Sequence, residues 1–304
     1  MKRIVCILLV FALSLSVAGC DKSQTEGNLT DDRGKAITVT EKDRVAALHA
    51  SFADCYLLSG GTLCALTEDA VNEHGIEKGE AVIVGTAKTV DVEALASSGA
   101  TVALLSLDLV AHLELLPILT DLGIKCAYFR VDTFSDYSSV MARFCAITGR
   151  ADLYEKNVTE VKERIQFIKD TAGCDSDKSF MLLRAYSQGV KAKGEDNLAG
   201  IILKEFGLEN LKDSYPSPLE DVSLEHIIEC DPDYIFLLTM GSEEAALAYL
   251  NMNFESNPAF SDLKAVKNGG YYLLPKELFH YKPNERWDES YEFLSKLLYP
   301  ERFD

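Results

Sequence analysis

The clearest periodic stretch of the chain is ADLYEKNVTEVKERIQFIKDTAG, residues 151–173. Leu153, Tyr154, Val158, Val161, Ile165, Ile168 and Ala172 recur there at steps of mostly three and four, which places them on one stripe of a helix. The opposite face is charged. Asp152/Lys156 and Glu160/Arg164 are acid-before-base pairs one turn apart, the favourable orientation on a helix surface. Gly173 is a natural stop. At about 1.5 Å per residue the helix spans roughly 33 Å. Neither Pro nor Gly interrupts it between Asp152 and Ala172, so a straight, rigid rod is expected.

Short apolar runs alternate with amphipathic segments on both sides of this helix. Before it, residues 37–39, 44–48, 81–85, 101–106 and 125–131 read as strands, and 51–58, 91–95, 112–122 and 135–148 as helices. After it, 179–186, 190–193, 234–239 and 271–274 read as strands, and 198–206, 224–230, 243–250 and 286–298 as helices. Strands separated by helical crossovers imply parallel sheets. The two halves share a coarse plan, best seen in VGTAKTVDVEALASSGATVALLS and SYPSPLEDVSLEHIIECDPDYIFLLT. Each has a loop, a Glu, a short helix and a buried strand. Periodicity leaves two arrangements open: an ordinary surface helix in one domain, or a rod between two α/β units.

The N-terminus departs from this pattern. Lys2 and Arg3 precede an apolar run at 4–17, too short to span a bilayer comfortably. The run ends in Val17-Ala18-Gly19-Cys20, which resembles a bacterial lipoprotein signal. That resemblance implies a signal peptide at 1–19 and a lipidated Cys20. Residues 20–36 then read as a polar, flexible tether. Acyl chains on Cys20 would hold the protein on the extracytoplasmic face of the cell membrane. Cys55, Cys64, Cys126, Cys145, Cys174 and Cys230 remain. None forms a C-x-x-C pair, which argues against a zinc site. Buried free thiols and disulfides both stay open.

A formal charge of −18 over 304 residues argues against a nucleic-acid partner, whose affinity rests on Lys and Arg at phosphates. No dinucleotide fingerprint, P-loop, HExxH or GxSxG is present. Ser59-Gly60-Gly61-Thr62 reads as a turn. The histidines at 49, 74, 112, 226 and 280 show no paired ligand spacing, so an enzyme has little support. Polar residues do gather just past strand ends, where open α/β sheets bind ligands. These are His49 and Ser51, then 87–90, 106–112, 130–136, 184–193, 240–242 and 277–287. Two such rims facing each other would form a cleft.

VGTAKTVDVE before an apolar strand resembles the loop–Glu–helix of solute-binding proteins for iron-siderophore, haem and vitamin B12 importers. TGRADLYEKN entering the long helix, VSLEHIIECDPDYIFLLT, and the ending ELFHYKPNERWDESYEFLSKLLYP are similar to the same family. The resemblance covers about residues 37–301. It implies an α/β fold of two Rossmann-like lobes with mainly parallel sheets, joined by one long rigid helix. The N-terminal lobe would take 37–148, the helix 149–173 and the C-terminal lobe 174–304. It implies a monomeric, non-enzymatic receptor without an intrinsic cofactor. Such a receptor passes a metal chelate to an ABC permease and its ATPase, with little lobe closure. Family members place one Glu on each lobe against Arg pockets of the permease, and Glu93 and Glu225 hold the matching positions. The vitamin B12-binding relative has Trp six residues before each of these, where this chain has Ala87 and Leu219. For haem, His280 and Tyr281 are the first candidates on the iron, then His49, His112 and Met240. For anionic siderophores or haem carboxylates, Arg130, Arg184, Lys191, Lys193, Lys282 and Arg286 are candidates. Trp287 could stack on a flat ligand or pack in the core. A ferric siderophore ranks before haem. A corrinoid, another chelate or an exported α/β enzyme remain the alternatives, and a surface adhesin is a third class.

Overall fold

The computed structural model describes residues 27–173, 176–214 and 222–303. The signal segment, Cys20, Cys174 and Leu219 lie outside the described residues.

Residues 27–36, expected in the tether, are folded. β1 (Gly27–Thr30) pairs antiparallel with β2 (Ala36–Val39). Leu29, Ile37 and Val39 are buried. The polar connection was the misleading part, because its charge is used internally. Asp31 accepts hydrogen bonds from the backbone amides of Arg33, Lys35 and Tyr128. Arg33 lies 4.0 Å over the Tyr128 ring and donates to the Cys126 carbonyl. The hairpin therefore covers the edge of the N-terminal sheet, which would otherwise be open.

That sheet has the order β5-β4-β3-β6-β7 and is parallel throughout. Its strands are β3 (Val45–Ala47), β4 (Leu63–Leu66), β5 (Val82–Ile83), β6 (Val102–Ser106) and β7 (Lys125–Phe129). Every position of β6 is buried, as expected for a strand covered on both faces. β4 was not expected. It follows the turn at Gly60, whose φ of 83° suits glycine, and LCAL is too short to carry a period. The expected helix 112–122 is two helices, Val110–Glu114 and Leu116–Asp121. Pro117 has no amide hydrogen to continue the first of them.

Helix Phe134–Thr148 starts with a reciprocal capping box between Thr133 and Asp136 and ends at Gly149, with φ of 71°. The backbone helix follows at once. It runs through Ala151–Tyr154, Glu155–Thr159 and Glu160–Ala172 without a break, but its middle segment is a π-turn. Neither Pro nor Gly causes this. Asn157 is anchored to the N-terminal lobe: its amide donates to the Leu58 carbonyl, and its own carbonyl accepts from Tyr137. Such a turn widens the helix locally.

The C-terminal sheet has the order β10-β8-β11-β12, with β9 antiparallel to β8. Its strands are β8 (Ser179–Tyr186), β9 (Gly189–Lys193), β10 (Glu209–Asn210), β11 (Tyr234–Thr239) and β12 (Tyr271–Leu273). The last helix, Trp287–Leu298, lies along the backbone helix, and Arg164 pairs with Asp288 at 2.5 Å. One continuous apolar cluster runs from Leu29 and Phe144 through Val161, Ile165 and Ile168 to Phe206 and Leu294. It joins both lobes. Each outer sheet face has a smaller cluster of its own. Cys55, Cys64, Cys126, Cys145 and Cys230 are free thiols.

Leu294 is fully buried and Phe167 is 69% exposed on the outer face of the rod. Leu294→Ala is expected to cost about 2–5 kcal/mol and Phe167→Ala about 0.5 kcal/mol or less. Urea unfolding of the two variants checks this, with both lobes lost in one transition.

Candidate functional site

The strand ends of the two lobes face each other across a cleft of about 800 Å³. The N-terminal wall comes from three places. His49 and Ser51 start helix Ala50–Leu58 after β3; Asp69, Glu73 and His74 follow β4; Thr86, Ala87 and Lys88 follow β5. The C-terminal wall holds Tyr186, Met240, Gly241, Lys276, His280, Tyr281 and Lys282. Two side pockets share Tyr281 and Lys282 with it. One, about 280 Å³, adds Arg184, Asp132 and Asn197. The other, about 270 Å³, adds Asp54, Glu277, Glu285 and Arg286.

The acids of the cleft are engaged by neighbours. Asp69 accepts the Ala87 amide at 2.5 Å, and burial together with the nearby Glu73 carboxylate pushes the Tyr281 phenol up. Lys276 donates to the Gly241 carbonyl at 2.7 Å. Lys282 reaches Asp132 of the other lobe at 3.2 Å. Tyr281 lies with its ring 4.9 Å from His74 and 5.2 Å from His280. Burial drags the His49 imidazole down to about 3, and His112, His74 and Lys282 push the same way. Burial also lowers His74 and His280, the latter helped by Arg184 and Lys276. These rings are neutral at physiological pH, the form that binds metals and accepts hydrogen bonds.

The expected ligand residues separate into two groups. His49, Ala87, Met240, His280, Tyr281 and Lys282 line the cleft, and Arg184 lines the first side pocket. The others stand elsewhere. His112 is fully buried behind His49, with ring centroids 6.4 Å apart. Its Nδ1 accepts the Ser106 amide at 2.9 Å, which leaves the proton on Nε2 and makes the ring a poor metal ligand. Arg130 is on the surface with Asp108 at 2.5 Å. Lys193 pairs with Asp196. Arg286 pairs with Glu289 at 2.7 Å and touches only the second side pocket. Trp287 is 1% exposed and meets Phe134 edge-on at 6.0 Å, so it is core between the lobes and offers no stacking face. Lys88 and Tyr186 come from the marked segments 87–90 and 184–193, while Asp69, Glu73, His74 and Lys276 were missed. The first three of the missed residues follow the unrecognised strand β4, and the signal for them was the Gly60-Gly61 turn before LCAL.

Glu93 and Glu225 have the same local setting. Each is exposed in the first turn of a short helix, Val92–Ser97 or Leu224–Cys230. Each lies two residues after a capping side chain, Asp91 or Ser223. Its own amide and the Ser223 hydroxyl hold Glu225 below the usual carboxylate range.

Two α/β lobes on one helical rod, with a cleft between strand ends, define a bilobal solute-binding receptor. The chain belongs to the periplasmic binding protein family, whose profile matches residues 45–278. Members work outside the cytoplasm and bind solutes. Over 290 residues the chain is 23% identical to the Fe(3+)-citrate-binding protein YfmC of Bacillus subtilis, covering 89% of each. Its fold matches PiuA, an iron-uptake ABC transporter substrate-binding protein from Streptococcus pneumoniae, with a TM-score of 0.69 at 15% identity, over 90% of this chain and 98% of that one. It also matches S. aureus IsdE complexed with heme, with a TM-score of 0.67 at 17% identity, over 85% and 99%.

His49 makes acid sensitivity predictable. Its folded value of about 3 lies below the unfolded 6.5, so the unfolded chain binds the extra proton between these values. Its contribution to stability is complete above pH 6.5 and is lost as pH falls towards 3. The His49 ring proton shifts should stay flat from pH 8 to 5 in NMR, and His49→Gln should flatten the loss of stability over that range. Titration of His49 near 6.5 would contradict the burial argument.

Proposed function

We propose that this receptor captures an anionic ferric chelate of the citrate type and delivers it to an ABC permease. The observation that carries the reading is the cleft itself. Lys88, Lys276 and Lys282 line a cleft of mixed polar and apolar character, about 800 Å³ in size, beside neutral imidazoles and the Tyr281 phenol. Ammonium groups and phenols suit chelate carboxylates and coordinated oxygens. Arg184 extends the site in the adjoining pocket, where its Nε is buried without a hydrogen-bond partner. A ligand carboxylate would satisfy it. Binding makes or breaks no covalent bond, so function rests on complementarity between the cleft and its ligand. The similarity to a ferric-citrate-binding protein and to an iron-uptake receptor supports this choice. Haem is the second reading, favoured by His280, Tyr281 and Met240 on one wall and by the likeness to the haem-loaded fold.

The same reading assigns Cys20 to a lipid anchor and the protein to the outer face of the cell membrane as a monomer. Glu93 and Glu225 are the permease contacts, one per lobe. Exposed charge pairs at a rim govern orientation and encounter more than affinity.

Ferric citrate should quench the intrinsic fluorescence saturably. Lys276→Ala and Lys282→Ala should each weaken binding about tenfold, on the order of 1.4 kcal/mol. A Soret band on haem addition with no ferric citrate response would favour the second reading. Glu93→Ala combined with Glu225→Ala should abolish iron uptake by cells while leaving the dissociation constant unchanged; normal uptake would sink the docking assignment.

A further inference from the structure

The segment between β12 and the last helix crosses from the C-terminal lobe onto the N-terminal lobe. Tyr281 and Lys282 stand in the cleft, and Trp287 packs on Phe134. Between them Asn284 is fully buried, with φ of 50°, in the left-handed region. Only Gly adopts that conformation freely, and Asn tolerates it better than most residues. Glycine would be the simpler choice if the turn were all that mattered. The carboxamide, however, is fully used. Its Nδ2 donates to Asp54 Oδ2 at 2.6 Å and to the Ser51 carbonyl at 3.3 Å. Its Oδ1 accepts from Ser51 Oγ at 3.2 Å and from Cys55 Sγ at 3.4 Å. Two donors and two acceptor sites are the whole capacity of an Asn side chain. All four partners are on helix Ala50–Leu58 of the opposite lobe.

We infer that Asn284 is a positioning residue that latches the lobes together beside the cleft and sets the distance between its walls before ligand arrives. The geometry makes this specific. His49 holds the N-cap position of the helix that Asn284 grips, and Tyr281 and Lys282 lie three and two residues before Asn284 on the opposite wall. Moving the latch therefore moves both walls. The bonds are buried and not screened by water, so one amide holds the crossing where an exposed pair would not. Asp54 fits this role. Burial raises its carboxyl, and the Asn284 amide is the first group pulling it back. A pre-set cleft keeps the competent state populated, and losing that population weakens binding by the same factor.

The latch is tested apart from ligand identity, although its effect on affinity rests on the reading above. Spin labels, carried on non-natural side chains at exposed Asp121 and Lys267, report the inter-lobe distance. The unmodified latch should give one narrow distance that ferric citrate leaves in place. Asn284→Gly keeps the turn and removes the amide. It should broaden the distance without ligand and raise the dissociation constant for ferric citrate about tenfold, as expected if the competent population falls to a tenth. Ser51→Ala, a smaller change made from the other lobe, should move the distance in the same direction and decides the matter if Asn284→Gly fails to fold. Wild-type distances in the variants would overturn the latch, since a purely structural role lowers stability and leaves the distance alone. Failure of the unaltered protein to bind ferric citrate would overturn the proposed ligand, and the distance measurement would still decide the latch.

Discussion

The structure depends on one apolar stripe. Val158, Val161, Ile165, Ile168 and Ala172 of the backbone helix are buried in a cluster that takes residues from both lobes and from the last helix. Neither sheet covers this stripe alone. The N-terminal lobe contributes helix Phe134–Thr148 and the hairpin, and the C-terminal lobe contributes helix Leu198–Glu205 and Trp287–Leu298. Burial of this kind is the main favourable term in folding. It ties lobe placement to stability, because a large change of lobe angle would expose the shared cluster.

The cleft follows from that placement. Parallel strands end on the same side of each sheet, and the rod holds the two rims face to face. The rod alone leaves one degree of freedom, rotation about its own contacts. The crossing at 281–287 restricts it with an ion pair from Lys282 to Asp132, the Asn284 hydrogen bonds and the Trp287–Phe134 contact. Charge and polarity then sort the walls. Asp69 accepts the Ala87 amide, Lys276 rests on the Gly241 carbonyl and Lys282 on Asp132, and the neutral imidazoles line the space between them.

Much of the architecture was legible in the sequence because it rests on period. The 151–173 stripe, the buried strands at 101–106 and 234–239, and the restart of strand–helix alternation after residue 176 all have counterparts in the structure. Short elements with no room for a period were missed. β4 has four residues, and β1 has one fully buried side chain, Leu29, in a polar setting. The π-turn at Glu155–Thr159 coincides with a tertiary contact of Asn157 that no local pattern shows. The site was half legible for the same reason. Position past a strand end marked His49, Met240 and His280, but it says nothing of which way a side chain turns. Trp287 turned into the core, and Arg130 and Lys193 turned to acids on the surface. Asn284 lay within a marked segment, yet its role needs a partner more than 200 residues away in sequence.

The central claim is that a pre-set cleft between the lobes holds a ferric chelate. A crystal structure with ferric citrate, with anomalous data at the iron edge, tests it most directly. The account predicts an iron peak in the cleft among His49, Lys276 and Lys282, with the lobes superposing on the ligand-free arrangement. An iron peak outside the cleft, or lobes rotated far enough to break the Asn284 bonds, would contradict it.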